Sequence, residues 1–542
     1  MKIRYLTSAT GRAYVSTWPS LGRRDCCDAR SLPAQGGRCR WVMVGAFLVC
    51  GTGYAQTTPT GPTAVQGPLV QLVTTAPAGT FNQLETLSAI SNQASYNLLT
   101  ANPNGAVYCN PNQRAASATC PQNTFLVFSN LRELVQSANE LLNNGQPTFY
   151  SLHTDDQGLG FALRWTAGEN LAAPGSVATQ FANGQLSSIA GRVAALRLGA
   201  TGFAFNGINL QQNGRQTFVS DMPAPLGGGA SADSTSDIGI ASRWGGFVNG
   251  AFGWGYRQPS VLEDAFAFDS KDATIGADYR LSRRFVLGLS GSYTNQRVEF
   301  DPARSVAGGG FHANGYGLLL YGLYEWEGPY ISFSGGYQRS DLDENRLITY
   351  PSFNIAVPST DVTAYGSTHT NTFLATFSVG WARNYGGFTA EPYLNADYRH
   401  VTLDGFRESS VNNSGPDQGQ PAGFDFDYAP QQFRVLDTSV GLRLQYAFRM
   451  RFGVIVPYAR AEYHHNFATN EYTVSAAYNA IAGDGAQFNL PTDPIDKHFE
   501  QFAGGFSLVL THGIQGFVQY QTTTGMQYVT SRLLSGGIRA EF

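Results

Sequence analysis

The last nine residues of the chain, 534–542, alternate between apolar or small side chains and mostly polar ones. In an extended strand, successive side chains point to opposite faces. One face therefore carries Leu534, Gly536, Ile538, Ala540 and Phe542. Such a strand, ending in an aromatic residue, suits a barrel wall in lipid and also a sheet over a soluble core. The recurrence of the same period of two from residue 243 onward favours the barrel.

Composition and one apolar run indicate an exported protein. Only 14% of the 542 residues are charged and 13% are aromatic, which is not the composition of a disordered chain. The longest apolar run, residues 41–50, is too short for a transmembrane helix. It follows Arg38 and Arg40 and precedes Gly53-Tyr54-Ala55, a small-x-small pattern typical of signal cleavage. We predict a signal peptide at residues 1–55, with a long or mis-assigned N-terminal extension.

The net charge and the cysteine content limit which partners and which kinds of site the chain can have. The net charge is −4 and the predicted signal peptide is basic, so the exported chain is more acidic still, which excludes nucleic acid as a partner. Four of the six cysteines fall within the signal peptide. The other two, Cys109 and Cys120, flank a polar loop that holds no further Cys or His. In an exported protein this predicts a disulfide and not a metal site, and we expect no cofactor.

Residues 56–200 form a short, mainly helical region. Residues 56–79 are rich in Thr, Pro and Gly and predict an extended segment. A second helix should begin near Thr124 and end before Gly145. Apolar residues recur at helical spacing on two segments: Leu84, Leu87, Ala94 and Leu98, then Phe128, Leu131, Val135, Ala138 and Leu142. Two helices joined by a disulfide-closed loop would form a small helical hairpin.

A third helix is predicted at residues 180–198, followed by a Gly- and Ser-rich flexible connector at 201–242. Nineteen helical residues span about 28 Å, close to the hydrocarbon thickness of a bilayer. One stripe of this helix carries Leu186, Ile189, Val193 and Leu196. The helix is too polar to face lipid. It could thread a water-filled lumen or pack on the preceding hairpin, and periodicity alone leaves both arrangements open.

Residues 243–542 predict about twelve antiparallel strands. Short turns at 281–284, 327–328, 384–387, 449–451 and 511–513 alternate with long polar segments. Three of these segments, 300–315, 339–371 and 399–432, are predicted as loops. An even strand count with short turns at one end and long loops at the other is typical of outer-membrane barrels. The pattern predicts an all-β transmembrane barrel behind a small helical N-terminal region, and it disfavours a soluble β-sandwich.

The sequence offers little catalytic chemistry. No Gly-x-Ser-x-Gly elbow or His-Glu-x-x-His motif occurs. A barrel hydrolase would need acid–histidine pairs at the lumen mouth, for which His400 with Asp404 and His464 with Glu462 are the candidates. Adjacent His464 and His465 point to opposite faces of a strand and are not expected to chelate one ion. We predict no catalytic residues and no enzyme activity.

Three segments carry a family resemblance: RWGGFVNGAFGWG at 243–255, TIGADYRLSRRFVLGLSGSY at 274–293, and GGIRAEF at 536–542. In order and spacing they resemble the β-domain of autotransporters of type V secretion, over roughly residues 240–542. The resemblance implies a twelve-stranded translocator whose lumen holds a helix linking barrel to passenger. It also implies assembly by periplasmic chaperones and the barrel-assembly machinery, with the alternating residues of 534–542 as the insertion signature.

Residues 180–198 are the natural lumen helix under that resemblance. The connector from this helix to the first strand is longer than a direct link requires. The lumen helix therefore lies either at 180–198 or within 200–242. The favoured function is an outer-membrane translocator that exports or displays its own short helical region, with no ligand assigned to that region. The alternatives are a stand-alone plugged barrel acting as a structural or adhesive surface protein, and a barrel hydrolase.

Overall fold

A computed structural model of the chain describes residues 65–168, 189–194, 196, 209–212, 215–218, 243–301, 308–326, 328–467, 472–481, 487–510 and 514–541. Several predicted features lie outside these residues: the signal peptide at 1–55, Leu186, most of the connector and Phe542. Within the connector segment, Asn209–Gln212 and Arg215–Phe218 pair as a short antiparallel hairpin.

Twelve long antiparallel strands of the described chain form a closed barrel. Each strand pairs with its sequence neighbours, and the last pairs with the first. The fold predicted for residues 243–542 is therefore confirmed. The strands are β1 (Trp244–Arg257), β2 (Phe266–Ser282), β3 (Phe285–Phe300), β4 (Gly308–Glu325), β5 (Pro329–Tyr350), β6 (Thr360–Trp381), β7 (Phe388–Leu403), β8 (Gln431–Tyr446), β9 (Gly453–Asn466), β10 (His498–Leu510), β11 (Gln515–Thr524) and β12 (Val529–Glu541).

The barrel wall is apolar outside and polar inside. Large apolar side chains are exposed along the outer face, including Val248, Ile275, Leu318, Phe377, Leu394, Val440 and Phe506. The buried inner face carries polar side chains, including Asn249, Asp278, Ser290, Gln338, Glu391, Asp397 and Asp437. In β12, Ile538 is 67% exposed whereas Arg539 beside it is only 7% exposed. Because lipid replaces water around such a wall, exposed apolar residues are stable there.

The two ends of the barrel differ. Five pairs of consecutive strands are joined by two to six residues at one end, where β1 also begins, and we call this the turn end. The other six connections lie at the opposite end, the loop end: 258–265, 301–307, 351–359, 404–430 and 467–497 have seven residues or more, and 525–528 has four. Two further short strands, Arg383–Tyr385 and Phe448–Met450, belong to the turns, and Ser409–Asn412 pairs with β6 beside the loop end.

The predicted loop at 339–371 is wrong for most of its length. β5 continues to Tyr350 and β6 begins at Thr360, and parts of 300–315 and 399–432 are also strand. The outward-facing side chains along this part of β5 are Arg339, Asp341, Asp343 and Asn345. A bilayer is crossed by about 9–11 strand residues, so these two 22-residue strands project beyond it. The polar outer row therefore shows that these strands extend beyond the lipid, and it does not indicate a loop.

Four helices lie within residues 65–168, ahead of the barrel, which confirms the mainly helical N-terminal region. They are α1 (Pro68–Thr75), α2 (Gln83–Thr100), α3 (Gln122–Leu142) and α4 (Asp156–Trp165). Asn82 and Glu85 form a reciprocal capping box at the start of α2. None of the helices in the described part of the chain combines the length and apolar character needed to cross a bilayer.

Two local helix predictions are corrected. Residues 56–79 were expected to be extended, but α1 lies within them and begins with Pro68, a residue favoured in the first helical turn. Thr124 was expected to start the second helix, but α3 begins at Gln122 and Thr124 is buried inside it. Between α2 and α3, the structure joins Cys109 and Cys120 in a buried disulfide.

The helices pack on a four-stranded sheet at the loop end of the barrel. The connections β7–β8 and β9–β10 contribute its strands: Phe406–Arg407, Phe426–Tyr428, Thr473–Tyr478 and Phe488–Pro491. A single 3₁₀ turn, Asn479–Ile481, follows the third of these strands. We call this the loop-end sheet, and we call residues 65–168 the helical cap. The cap thus covers the end of the barrel opposite the tight turns.

Replacing Val440 by arginine should lower the free energy of unfolding by about 2–4 kcal/mol, because a guanidinium within the apolar band loses its hydration. Val261→Arg is the matched control. Val261 is similarly exposed, 57% against 62%, but lies in the β1–β2 connection. Denaturant unfolding of protein refolded into lipid vesicles measures both variants. Equal losses in the two variants would contradict a lipid-facing position for Val440.

Candidate functional site in the barrel lumen and the helical cap

A short helix lies against the inner face of the barrel. Residues 189–194 and 196 are helical, and Ile189, Val193 and Leu196 are buried. Their apolar neighbours come from the inward-facing rows of several strands: Phe247, Val286, Leu319, Tyr321, Leu323, Tyr330 and Leu374. The structure therefore brings three residues of the predicted stripe to the lumen wall. We call residues 189–196 the lumen helix.

One buried ion pair connects the lumen helix to the wall. Arg192 donates through Nε to Asp278 Oδ2 at 2.7 Å and through Nη2 to the same oxygen. Tyr321 donates its hydroxyl to that oxygen at 2.9 Å, and the guanidinium lies 5.4 Å from the ring centre of Phe247. A charge this deeply buried is stable only when an opposite charge and hydrogen bonds replace its water.

Sequence reasoning missed this pair. Arg192 was noted only as lying off the apolar stripe of its helix, and Asp278 only as one residue of a strand segment. The available signal was a charged residue on the inward row of β2, where a lone carboxylate would require a partner. Nothing local identifies that partner 86 residues earlier in the chain.

A cavity of about 190 Å³ lies between the lumen helix and the wall. The helix contributes Ile189, Ala190, Val193 and Ala194 to its lining. The wall side is strongly charged and comes mainly from β7 to β10; it includes Glu391, Asp397, Arg399, Asp437, Arg460, Glu462 and His464. Four of these wall residues are carboxylates, and three are arginine or histidine. The lumen beside the helix is thus a polar chamber of mixed charge.

The candidate hydrolase residues do not form a catalytic arrangement. His464 Nδ1 lies 2.7 Å from Asp437 Oδ2, and its Nε2 lies 3.7 Å from Glu462 Oε2. Both ring nitrogens therefore face carboxylates, and neither is directed at a hydroxyl nucleophile. Of the other pair, His400 lies within β7 and Asp404 lies exposed beyond its end. Among the described residues, no group of three or more His, Cys, Asp and Glu is arranged to hold a metal ion.

Hydrogen bonds connect the helical cap to the loop end at four separate places. Asn130 Nδ2 donates to the carbonyl of Ala422 at 2.9 Å, and Tyr478 donates to Asn92 Oδ1 at 2.8 Å. The other two contacts are Asn354 Nδ2 donating to the carbonyls of Phe149 and Ser151, at 2.9 and 2.6 Å, and Arg164 donating to Asp264 at 2.6 Å. These contacts come from four different connections of the loop end and reach several parts of the cap, so together they fix its orientation.

Two apolar cores are shared between the cap and the loop end. The first combines cap residues Leu84, Leu99, Val127, Phe128 and Leu131 with loop-end residues Phe426, Tyr428, Val474, Tyr478 and Phe488. The second combines Leu69, Leu134, Val135, Leu159 and Leu163 with Ile348, Tyr350, Val362 and Phe424. Because each core has members from both sides, neither half buries its apolar surface alone.

A buried charge network lies under the cap. Arg346 donates to both carboxylate oxygens of Glu408, at 3.0 and 2.6 Å, and to the carbonyl of Phe424 at 2.8 Å. These residues lie beyond the lipid band, where the outer row of β5 is already charged. Burial raises the pKa of the Glu344 carboxyl well above its usual range, and the neighbouring carboxylate of Glu408 raises it further.

A glycine marks the closest approach of the cap to the barrel. Gly423 has a φ of +76°, and a Cβ on it would lie 2.6 Å from Leu126 Cβ and 2.8 Å from the backbone nitrogen of Val127. Both neighbours are in α3. The position therefore excludes side chains for two reasons, its left-handed backbone and the contact with the helix.

A closed barrel with an apolar outer wall and a polar lumen is the architecture of outer-membrane β-barrel proteins. The family model of the autotransporter beta-domain matches residues 246–521, just over half of the chain. The chain therefore belongs to the autotransporter β-domain family, and its barrel is an outer-membrane translocator. The predicted family, fold class and outer-membrane location are confirmed.

Solved structures similar to this chain include three parts of autotransporters. The translocator domain of NalP from Neisseria meningitidis is 12% identical over 55% of this chain and 88% of that one, with a TM-score of 0.42. The β domain of Bordetella BrkA is 14% identical over 55% and 100%, with a TM-score of 0.38. The transport unit of AIDA-I from Escherichia coli is 13% identical over 57% and 93%, with a TM-score of 0.33. No curated protein matches the chain significantly.

Replacing Arg192 by methionine should weaken the attachment of the lumen helix to the barrel wall. Asp278 then stays buried without its partner, which typically costs about 3–5 kcal/mol. We expect larger or more frequent channel openings when the protein is measured in planar bilayers. The control is the double variant R192M/D278N, which removes both charges and should recover part of the closed behaviour. Unchanged conductance in R192M would show that this ion pair is not needed to keep the lumen helix in the pore.

Replacing Gly423 by alanine should loosen the cap by about 1–3 kcal/mol through the clash with α3, in addition to the backbone strain. Gly419→Ala is the matched control, because Gly419 has a similar φ of +77° but open space around its Cβ position. Limited proteolysis of the purified protein measures the rate of cleavage within residues 65–168. G423A should be cleaved several-fold faster than G419A, and equal rates would show that this contact does not hold the cap.

Proposed function

We propose that this translocator displays its own helical cap on the external side of the outer membrane. The observation that carries the proposal is the pair of apolar cores shared between the cap and the loop end. In outer-membrane barrels, short turns face the periplasm and long connections face the exterior. With that orientation the helical cap is a surface structure held on the barrel that exported it.

The path of the chain supports export through the barrel itself. The cap ends at the loop end, the lumen helix contacts the inner wall, and β1 begins at the turn end. Asp278 and Gly245, which flank Arg192, both lie near the turn end of their strands. A chain that enters at one end, passes the lumen and begins the barrel at the other end is the expected product of translocation through the pore.

Retention, and not release, is the expected fate of the cap. Its two cores would be opened to water if the cap left, and its hydrogen bonds to Ala422, Tyr478 and Asn354 would be lost with them. Insertion by the barrel-assembly machinery with periplasmic chaperones is part of this proposal and follows from the family. The binding partner of the displayed surface is not assigned.

Two epitopes in one chain test the proposal. The first is inserted at Ala78, an exposed residue between α1 and α2, and the second at Arg451, exposed in a turn at the opposite end of the barrel. On intact cells, antibody or protease should reach the Ala78 epitope and should reach the Arg451 epitope only after the outer membrane is permeabilised. A periplasmic protein serves as the leakage control.

The other possible results of this experiment would each contradict a specific part of the proposal. Protection of the Ala78 epitope in a barrel that still migrates as folded would contradict surface display and favour a plugged barrel with an internal N-terminal region. Access to both epitopes in intact cells, with the periplasmic control protected, would contradict the assumed orientation. Hydrolytic activity that survives removal of residues 56–200 would support the barrel hydrolase instead.

A further inference from the structure

Two histidines face each other across neighbouring strands on the outer wall of the barrel. His465 near the end of β9 lies directly opposite His498 at the start of β10. Tyr463, two residues earlier on β9, points to the same outer face and is about half exposed. From the sequence, only His465 of this group was considered as a ligand, and it was not expected to share an ion with its neighbour His464. The register of the sheet gives His465 a different partner.

The donor atoms of these residues converge. His465 Nδ1 lies 3.2 Å from His498 Nδ1, and Tyr463 Oη lies 3.0 Å from the same His498 nitrogen. Two ligands bound at about 2.0–2.1 Å to a tetrahedral ion are about 3.3 Å apart. The two distances to His498 Nδ1 are close to the separation of two ligands on one ion.

Direct hydrogen bonds among these three side chains cannot engage both neighbours of His498 Nδ1 equally well. A neutral imidazole nitrogen is either a donor or an acceptor and offers one lone pair. If His498 Nδ1 accepts from the Tyr463 hydroxyl, it has no lone pair left for a proton on His465 Nδ1. If His498 Nδ1 instead donates its proton to one of these two neighbours, it has no second proton to donate to the other. A single cation, in contrast, can accept a lone pair from each of the three atoms at once.

The site lies at the outer edge of the lipid band. His465 lies twelve residues beyond Gly453 at the turn end of β9, which in a strand tilted by about 40° corresponds to a rise of about 30 Å along the barrel axis. The apolar band of such barrels is about 25 Å tall. On β10 the outward row changes from Phe506 and Phe502 to Glu500 and His498 in the same direction. Water and dissolved ions can therefore reach the two imidazoles, and Glu500 adds negative charge opposite Tyr463.

We propose that His465, His498 and Tyr463 form a binding site for one divalent transition-metal ion of the zinc(II) type. Imidazole ligands select zinc, copper and nickel over calcium and magnesium, which prefer oxygen ligands. The bound ion would join β9 to β10 at the loop end, below the connection that supplies two strands of the loop-end sheet. Zinc binding would thus stabilise the part of the barrel on which the cap rests.

The test uses the full-length protein, purified without a histidine tag and folded in detergent. Zinc titration by calorimetry should give one site per chain. H465F and H498F should each lose at least tenfold in affinity, and Y463F should lose less. His369→Phe is the matched control, because His369 is an exposed outward histidine that pairs with Asp341 at 2.7 Å and has no histidine opposite it.

Thermal unfolding of the unchanged protein gives a second measurement that does not depend on variants. Zinc should raise the unfolding temperature, EDTA should reverse the shift, and calcium at the same concentration should have no comparable effect. The proposal is overturned if zinc neither binds saturably nor shifts unfolding. It is also overturned if H465F and H498F, migrating as folded barrels, bind zinc as tightly as H369F. Unchanged affinity in Y463F would remove the tyrosine from the ligand set.

Discussion

Backbone pairing between β12 and β1 closes the barrel, and the remaining features follow from that closure. The two strands are in register from Val529 opposite Arg257 to Glu541 opposite Gly245. In lipid no water is available to satisfy an open sheet edge, so a spanning sheet must meet itself. Because the last strand returns to the first, both ends of the barrel sequence lie at the turn end. Everything N-terminal to β1 therefore begins its path at the end opposite the helical cap.

Closure also explains why the lumen is polar and why the lumen helix can occupy it. Twelve strands enclose more space than their own side chains fill, and the inner rows are serines, glutamines and charged residues. A helix with one apolar stripe and an arginine is too polar for lipid. Against this wall its stripe contacts Phe247 and Tyr321, and Arg192 pairs with Asp278. The apolar stripe and the arginine thus meet one part of the inner wall, where Tyr321 both packs against the stripe and donates to Asp278.

The barrel was predictable because its signal is local. A strand exposed to lipid on one side must alternate, and the alternation, the turns and the strand count can be counted along the chain. The same logic failed at residues 339–371, where alternation persists but the outer row becomes charged once the strands leave the lipid. Partners across the fold were not predictable. Tyr478 bonds to Asn92 over 386 residues and Arg346 pairs with Glu408 over 62, and periodicity shows which face is buried but not what covers it.

The shared cores give the cap a property that translocation requires. Passage through a lumen already lined by side chains needs an extended or loosely structured chain. A region that completed its own core in the periplasm would resist unfolding. The helices α1–α4 instead lack about half of the first core and a third of the second until the loop end supplies residues such as Phe426, Tyr478 and Ile348. Small helical segments without such a partner are marginally stable. Under the proposed function, the cap therefore remains unfolded until it reaches the surface, and its folding there both completes the structure and opposes its return.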